Sequence, residues 1–259
     1  MFDFPSLRVG HITDLHVREA LPGSSPMASR RSREVLGLLP LALAELARRQ
    51  VDFLAVTGDL IDAPNEVLQS DGLGGLAAAE KTEEAQADYR RIKAALDGSG
   101  IPYMVLPGNH DLEPAMWRVF DPQANVVGLE QAPWRVARFC DREGAGHVPR
   151  RLGAELLLWE RLLDSADPRP QVHLQHYIVA PKIGANYPHN YLEHEDIRQR
   201  TSASGRVALS LSGHCHQGTD LIRVEASWFA AAPAFSDFPH PFRVYEIEPN
   251  GASMDTLHP

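Results

Sequence analysis

The feature that most constrains this chain is a series of short apolar runs that each lead directly into Asp, His or Asn. Runs of this length predict buried strands. In open α/β sheets, the crevice beyond the carboxyl ends of the strands is where ligands bind. We therefore expect the polar clusters after these strands to meet at one edge of the fold. The clusters are Asp14-Leu15-His16, Gly58-Asp59-Leu60-Ile61-Asp62, Gly108-Asn109-His110-Asp111, His176, and Gly213-His214-Cys215-His216.

Helical patterns separate the strand-like runs. Amphipathic patterns predict helices over 32–49, where Pro40 is expected to produce a kink, and over 79–96 and 152–163. Strands alternating with helices, followed by a β-rich tail, predict an α/β protein with a mixed sheet. With no linker or repeat in the sequence, we expect a single domain over residues 1–259. The predicted strands are 7–12, 52–57, 103–106, 172–175 and 206–211, then 221–226, 228–231 and 242–247.

Composition limits the classes of partner. The formal charge is 25 − 34 = −9, and the Arg pairs are scattered, whereas a nucleic-acid surface needs clustered basic charge. The two cysteines cannot form a disulfide framework, so a reducing compartment is expected. No apolar run reaches the ~18–20 residues of a membrane span, and the N-terminus lacks a signal-peptide pattern. These features predict a cytoplasmic protein without membrane or nucleic-acid partners, and leave a homo-oligomer open.

Each polar cluster has an ordinary structural explanation when it is considered alone. Asp14 with His16, or Gly58 with Asp59, is a common turn, and a lone His176 is usually a satisfied polar residue. Together, five clusters at five strand ends indicate a metal site. Carboxylate, imidazole and amide ligands suit Mn, Fe, Zn or Co rather than Ca or a thiolate site. Cys215 points away from its neighbours in an extended segment and is interpreted as an apolar filler.

In this order, the motifs resemble those of the calcineurin-like metallophosphoesterase superfamily, over residues 9–216. The resemblance implies a four-layer αββα sandwich with two mixed β-sheets and a site for two divalent metal ions. It also implies that His110 lies beside the reacting phosphate and that Asp111 orients it. The implied ligands are Asp14, His16 and His216 for one metal ion, Asn109, His176 and His214 for the other, and Asp59 as the bridge.

The fourth motif departs from the family pattern. His176 is followed by Tyr177 rather than by the frequent Pro, and His173 is a competing candidate. Strand periodicity puts 173 and 176 on opposite faces, which favours His176 at the strand end. Asp62 is the candidate to orient a ligand such as His216, since metal-binding imidazoles usually have a polar partner.

The resemblance is closest to the bacterial cyclic-nucleotide phosphodiesterase branch. Purple acid phosphatases would need a Tyr where Asp62 stands, and lipid A precursor hydrolases carry Arg in place of His110. The expected activity is hydrolysis of cyclic nucleotides or similar small phosphodiesters. The alternatives are a phosphomonoesterase or nucleotide pyrophosphatase and, because the fold has non-catalytic members, a metal-binding scaffold; retention of His110 disfavours the scaffold.

Two segments, 63–78 and 179–204, are predicted to be irregular insertions at the rim of the site. The second lies between two ligand motifs and must rise over the metal edge. Its aromatic side chains could stack on a base, and its cationic side chains could contact phosphate; a solvated loop is the alternative. The candidate substrate-binding residues are Lys182, Tyr187, His189 and Tyr191.

Overall fold

The computed structural model describes residues 5–23, 25, 27–63, 76–121, 133–184 and 187–259, with only the backbone described for 76–81. The helices are α1 (Val35–Arg48), α2 (Leu76–Gly98), α3 (Glu113–Met116), α4 (Gly153–Leu163) and α5 (His194–Ala203). The strands are β1 (Leu7–Ile12), β2 (Phe53–Val56), β3 (Tyr103–Val105), β4 (Arg135–Phe139), β5 (Arg142–Glu143), β6 (Pro149–Arg150), β7 (Gln171–Gln175), β8 (Val207–Ser212), β9 (Ile222–Val224), β10 (Ser227–Ala231), β11 (Phe242–Glu248) and β12 (Gly251–Leu257).

Two five-stranded mixed sheets form the centre of the molecule. The first has the order β12-β11-β1-β2-β3, with β1, β2 and β3 parallel and β11 antiparallel to β1. The second has the order β4-β7-β8-β10-β9, with only β9 antiparallel to its neighbour. A small hairpin pairs β5 with β6. Every residue of β2 is buried, as expected for a parallel strand that is covered on both faces.

Three apolar cores define four layers. One core lies between the sheets and includes Phe53 and Leu209. Another joins the first sheet to α1 and α2, where Leu46 and Tyr89 are buried, and Gly10 allows α1 to approach β1 because an added Cβ would lie 3.1 Å from Leu46. A third joins the second sheet to α4 and α5 around Trp159. The predicted αββα sandwich with two mixed sheets is confirmed.

Several elements were not predicted, and each has weak apolar periodicity. β4 has the sequence RVARF and is half-exposed at a sheet edge. β12 is an edge strand with mostly exposed or half-exposed residues. α5 is a polar helix, so the predicted irregular segment 179–204 ends in a helix. Of the other predicted insertion, 64–75 lies outside the described residues. Pro40 lies within α1, which continues past it.

Among the helices in the described ranges, none is both long and apolar enough to span a membrane.

Candidate metal and active site

The five polar clusters lie in the loops that follow β1, β2, β3, β7 and β8, at the carboxyl ends of these strands. Backbone hydrogen bonds tie the loops together across the two sheets. The amide of His16 donates to the Asp59 carbonyl at 2.8 Å, and the amide of Gly213 donates to the His176 carbonyl at 2.9 Å. The amide of Ser236, beyond β10, donates to the Asp14 carbonyl at 3.1 Å. The edges of both sheets thus converge on one site.

Four residues of these loops have a left-handed backbone conformation without being glycine. The φ angles are 51° at Asp14, 45° at His16, 51° at Asp59 and 64° at His214. Such conformations cost about 1–3 kcal/mol each and cluster at functional sites, where the surrounding structure enforces them. The strain here lies at the side chains that the sequence predicts as ligands.

Two glycines permit the close approach of the loops. A Cβ at Gly108 would lie 2.2 Å from Oδ1 of Asp59, and a Cβ at Gly213 would lie 2.1 Å from Oγ1 of Thr13. Real Cβ contacts do not reach these distances, so any side chain here would push the motif loops apart. The glycines that precede Asn109 and His214 are therefore required by packing.

One group of predicted ligands consists of Asp14, His16 and His216. Nε2 of His16 lies 3.2 Å from Nε2 of His216, and each of these nitrogens lies 3.8 Å from Oδ1 of Asp14. Ligand atoms about 2.1 Å from one ion lie about 3–4 Å from one another. The spacing of these three side chains thus fits one metal ion.

The second group consists of Asn109, His176 and His214. Nε2 of His176 lies 3.1 Å from Oδ1 of Asn109 and 3.0 Å from Nδ1 of His214. Asp59 joins the two groups because its Oδ2 lies 3.5 Å from Nε2 of His16 and 3.5 Å from Nε2 of His176. The arrangement brings together all seven side chains predicted as ligands.

The unsatisfied atoms of the cluster fit cations. Oδ1 of Asp14 is buried and has no hydrogen-bond partner among the described residues, and a buried carboxylate oxygen is costly when unpaired. The ring nitrogens of His16 and His216 face each other, as do those of His176 and His214. Pairs of lone-pair nitrogens at this distance are stabilised when a metal ion lies between them, so the residues present fit the metal ions that the resemblance implies.

Hydrogen bonds on the far side of two rings orient them. Nδ1 of His176 donates to the Thr57 carbonyl at 2.8 Å, and Nδ1 of His216 lies 3.1 Å from Oδ2 of Asp237. Both bonds leave Nε2 directed toward the cluster, as a metal ligand requires. The sequence predicted Asp62 as the partner of His216, whereas the structure has Asp237 in this position. Asp237 reaches His216 because it directly follows the segment 232–236, which packs against the loop after β1.

Asp62 instead contacts the ring of His110. Its Oδ1 is 3.2 Å from Nδ1 of His110 and 3.6 Å from Nδ1 of His16. Arg18 donates to Oδ2 at 2.9 Å and Arg30 donates to Oδ1 at 3.0 Å. Burial opposes ionisation of Asp62, but its contacts with His110 and His16 outweigh burial and lower its pKa. Asp62 therefore contacts the rings of His110 and His16 rather than the ring of His216, for which the sequence predicted it.

Asp111 does not have the contact that was expected with the His110 ring. Its buried carboxylate accepts the amides of Leu60 and Gly108 and the hydroxyl of Tyr89, at 2.9–3.1 Å. Burial, together with the charge of Asp59, raises the pKa of Asp111 to about 6. Asp111 therefore organises the loops after β2 and β3, and the carboxylate that faces His110 is Asp62.

The carboxylates also control the charge of the imidazoles. Burial opposes protonation of His176, but the neighbouring Asp59 outweighs burial and raises the pKa of His176 to about 9. Burial likewise opposes protonation of His110, and Asp59 with Asp62 raises its pKa. The site thus has a strong affinity for positive charge at its centre.

The predicted substrate-binding residues divide into two pairs. Tyr187 and His189 line a cleft of about 720 Å³ whose wall also includes predicted metal ligands, among them Asp59 and His214. The seven predicted ligands are called the metal-type cluster below. Tyr191 is buried and donates its hydroxyl hydrogen to Asp141 at 2.6 Å, so it anchors the segment before α5 to the protein interior. Lys182 is exposed near α5 and is not among the described residues that line the cleft. The structure thus places neither Tyr191 nor Lys182 in the wall of the cleft, because side-chain direction in an irregular loop has no sequence period, and a substrate-binding role for them stays a prediction.

Two residues that contact the site, Arg30 and Asp237, were not predicted from the sequence. Arg30 lines the cleft but lies in a polar Ser/Arg-rich stretch that resembles a solvated surface. Asp237 lies in a turn-type stretch of Ser, Phe and Pro residues with no spacing signal. By contrast, His173 is buried against Phe139, with Nε2 2.8 Å from Oε1 of Gln171, away from the cluster, as strand periodicity predicts.

The sequence and fold match known proteins. The family model described as calcineurin-like phosphoesterase matches residues 7–218. A probable cyclic nucleotide phosphodiesterase of Synechococcus sp. is 22% identical over 279 residues, which cover 99% of this chain and 93% of that protein.

Solved structures share the fold. A dimetal phosphatase from Danio rerio has a TM-score of 0.70 at 16% identity, covering 97% of this chain and 96% of the other. A purple acid phosphatase from yellow lupin (Lupinus luteus) has a TM-score of 0.61 at 12% identity, covering 99% of this chain and 52% of the other. The family match spans most of the chain and includes every motif of the site, so the chain belongs to the calcineurin-like phosphoesterase family and is a metal-dependent phosphoric ester hydrolase.

Proposed function

We propose that this protein is a phosphodiesterase that hydrolyses cyclic nucleotides or similar small phosphodiesters. The observation that carries the proposal is that the cleft has walls of non-ligand side chains on two sides of the metal-type cluster. Arg30 lines the cleft beside His110, with Nη2 3.4 Å from Nε2, and His189 lines it beside His214, with ring centroids 4.4 Å apart. Met27, Ile183 and Tyr187 also line the cleft. A phosphodiester has a substituent on each side of the phosphorus, whereas a phosphomonoester needs only one wall. The named function of the Synechococcus relative supports the same class.

Seven side chains would hold two divalent metal ions from the Mn, Fe, Zn or Co group. A bound pair supplies Lewis-acid polarisation of the phosphate and lowers the pKa of water. The proposed ligands are Asp14, His16 and His216 for one ion, Asn109, His176 and His214 for the other, and Asp59 between them.

His110 is the proposed general acid or transition-state donor. Its Nδ1 lies 3.2 Å from the Asp62 carboxylate, whose negative charge favours a proton on that nitrogen and leaves Nε2 for the cleft. Asp62 also stabilises the ring when it carries a second proton on Nε2, the one available to the leaving oxygen. His110 is 18% exposed, so a substrate can reach it.

The aromatic side of the cleft would receive a nucleobase or another planar group. Tyr187 and His189 are in edge-to-face contact, with ring centroids 5.3 Å apart, and Ile183 adds an apolar surface beside them. Stacking on such a wall binds planar substituents with little dependence on their hydrogen-bonding pattern. This geometry favours a broad specificity for aryl and nucleoside esters.

A hydrolysis panel tests the proposal. Purified protein is reconstituted separately with Mn, Fe, Zn and Mg, then assayed with 3′,5′- and 2′,3′-cyclic nucleotides, bis-p-nitrophenyl phosphate, p-nitrophenyl phosphate, dinucleotide pyrophosphates and mononucleotides. We expect higher kcat/KM on the diesters than on the matched monoesters. Preference for p-nitrophenyl phosphate would indicate a phosphomonoesterase, and preference for the pyrophosphates a nucleotide pyrophosphatase. No turnover with any metal would favour a non-catalytic scaffold.

A further inference from the structure

Arg30 brings a guanidinium to the wall of the cleft beside His110. Its Nη1 donates to Oδ1 of Asp62 at 3.0 Å, and its Nη2 donates to Nε2 of His110 at 3.4 Å. Only 7% of the side chain is exposed, yet Arg30 lines the cleft together with Asn109 and His110. A guanidinium has five N–H donors; four of them lie on Nη1 and Nη2, which make these two hydrogen bonds with the described residues. Arg30 thus has unused donor capacity close to the position of the reacting phosphate.

The negative charge near Arg30 is shared with other groups. Asp62 also accepts Arg18, at 2.9 Å, so one carboxylate serves two guanidinium groups. Asp237, another nearby carboxylate, has its Oδ2 3.1 Å from Nδ1 of His216, and Asp59, which also lines the cleft, lies 3.5 Å from His16 and His176. Arg18 differs from Arg30 because its remaining bonds go to the carbonyls of Pro22 and Asp62, and it is not among the described residues that line the cleft. Of the two, only Arg30 is in a position to meet an anion in the cleft.

The backbone holds Arg30 in place before any ligand arrives. Arg30 forms an antiparallel β-bridge with Asp237, and the amide of the next residue, Arg31, donates to the Ser236 carbonyl at 2.7 Å. Since Asp237 also contacts His216, one short segment positions Arg30 and a predicted metal ligand together. A donor that is fixed in advance pays little reorganisation when charge develops on the phosphate.

We propose that Arg30 is a catalytic residue that binds a non-bridging oxygen of the substrate's phosphate, a role that rests on the proposed phosphoesterase function of the same cleft. In the bound state, the Nη2–H that now faces Nε2 of His110 turns to the phosphate oxygen. Nε2 of His110, no longer occupied by Arg30, can then take a proton from solvent and face the leaving oxygen with it. The planar fork of arginine allows it to keep Asp62 and bind phosphate at the same time, which the point charge of lysine does less well.

Inorganic phosphate is the probe that tests this role without turnover. The full chain is reconstituted with Mn²⁺, and its affinity for phosphate is measured by titration calorimetry. Loss of a charge-assisted hydrogen bond should weaken binding about 10- to 100-fold in Arg30→Gln, with a smaller loss in Arg30→Lys. Arg31→Gln is the matched control, because Arg31 is the next residue and is exposed beside Glu34; its phosphate affinity should equal that of the wild type. Elemental analysis should find equal metal content in all variants.

Arg18→Gln separates binding of phosphate from support of Asp62. It removes the other guanidinium from the same carboxylate, so it should lower Tm and leave phosphate affinity within about twofold of the wild type. The proposal is overturned if Arg30→Gln binds phosphate like the wild type, if Arg18→Gln loses affinity equally, or if the wild type binds no phosphate. A wild type that binds phosphate through Arg30 but hydrolyses no ester in the panel would overturn the proposed function alone.

Discussion

At His216, a single contact decides which ring nitrogen is free to bind metal. Nδ1 lies 3.1 Å from Oδ2 of Asp237, which leaves Nε2 facing His16 and Asp14. We predict that Asp237→Asn lowers the affinity of this metal position by about 10- to 100-fold, the usual loss when the outer partner of a metal-binding imidazole is removed. Competition with a chelator of graded strength measures the change.

Asp255→Asn is the control for Asp237→Asn, since Asp255 is an exposed carboxylate that pairs with Arg49 on the surface. Its metal affinity should be that of the wild type. Equal metal affinity in Asp237→Asn and the wild type would show that the orientation of His216 does not depend on this carboxylate.

His110 separates metal binding from turnover. It contacts Asp62 and Arg30 and is not one of the seven proposed ligands. We predict that His110→Ala keeps both metal ions and lowers kcat by about 10²–10⁴ on an ester with a poor leaving group, as loss of a general acid does. The loss should be much smaller on a p-nitrophenyl ester, whose leaving oxygen needs no proton. An equal loss on both substrates would assign His110 a role in charge stabilisation rather than in proton transfer.

The strand ends, as elements, must approach so closely that some positions exclude any side chain. Gly213 directly follows β8, and a Cβ there would meet Oγ1 of Thr13 at 2.1 Å and Oδ2 of Asp14 at 2.9 Å. We predict that Gly213→Ala forces the loops after β1 and β8 apart, lowers the free energy of unfolding by about 1–3 kcal/mol, and weakens metal binding. Thermal unfolding with and without metal measures both effects.

Gly37→Ala is a control of the same chemical size. Gly37 lies inside α1, and apart from the helix's own backbone no atom of the described residues lies within 4 Å of an added Cβ, so Ala should raise helix stability by about 0.5–1 kcal/mol. If the two variants had the same Tm, the close approach of the loops at Gly213 would make no contribution to the free energy of unfolding.

Elements were predictable from the sequence where burial imposes a pattern. β1 and β2 are apolar because both faces of their sheet are covered, and the polar clusters after them follow from the direction of the parallel strands. α5 was not predicted because its exposed face leaves few apolar positions, among them Ile197. Edge strands such as β4 and β12 lack the pattern for the same reason.

At the scale of the whole molecule, contacts between distant segments set what the sequence could not predict. Asp62 and Asp111 both follow strands and both carry carboxylates, so the sequence gives no reason why one faces the His110 ring and the other binds backbone amides. That choice depends on how the loops pack after the two sheets meet. The same is true of Asp237, which reaches His216 only because the segment after β10 crosses the loop after β1.

The stability of the whole fold should also depend on pH through a histidine outside the site. Burial, helped by the charges of Arg151 and Arg135, lowers the pKa of His173 well below 6.5. Below about pH 6.5, the unfolded chain therefore binds a proton that the folded chain does not, and stability falls as the pH falls, by about 1.4 kcal/mol per pH unit.

His173→Gln removes this dependence, and Gln keeps a donor for Gln171. Urea unfolding at pH 7.5 and 5.0 should show that the variant loses about 2 kcal/mol less than the wild type between the two. His258→Gln, at an exposed histidine near the C-terminus, should lose as much as the wild type. Since the metal-type histidines titrate equally in all three proteins, parallel losses would mean that His173 carries a proton in the folded state.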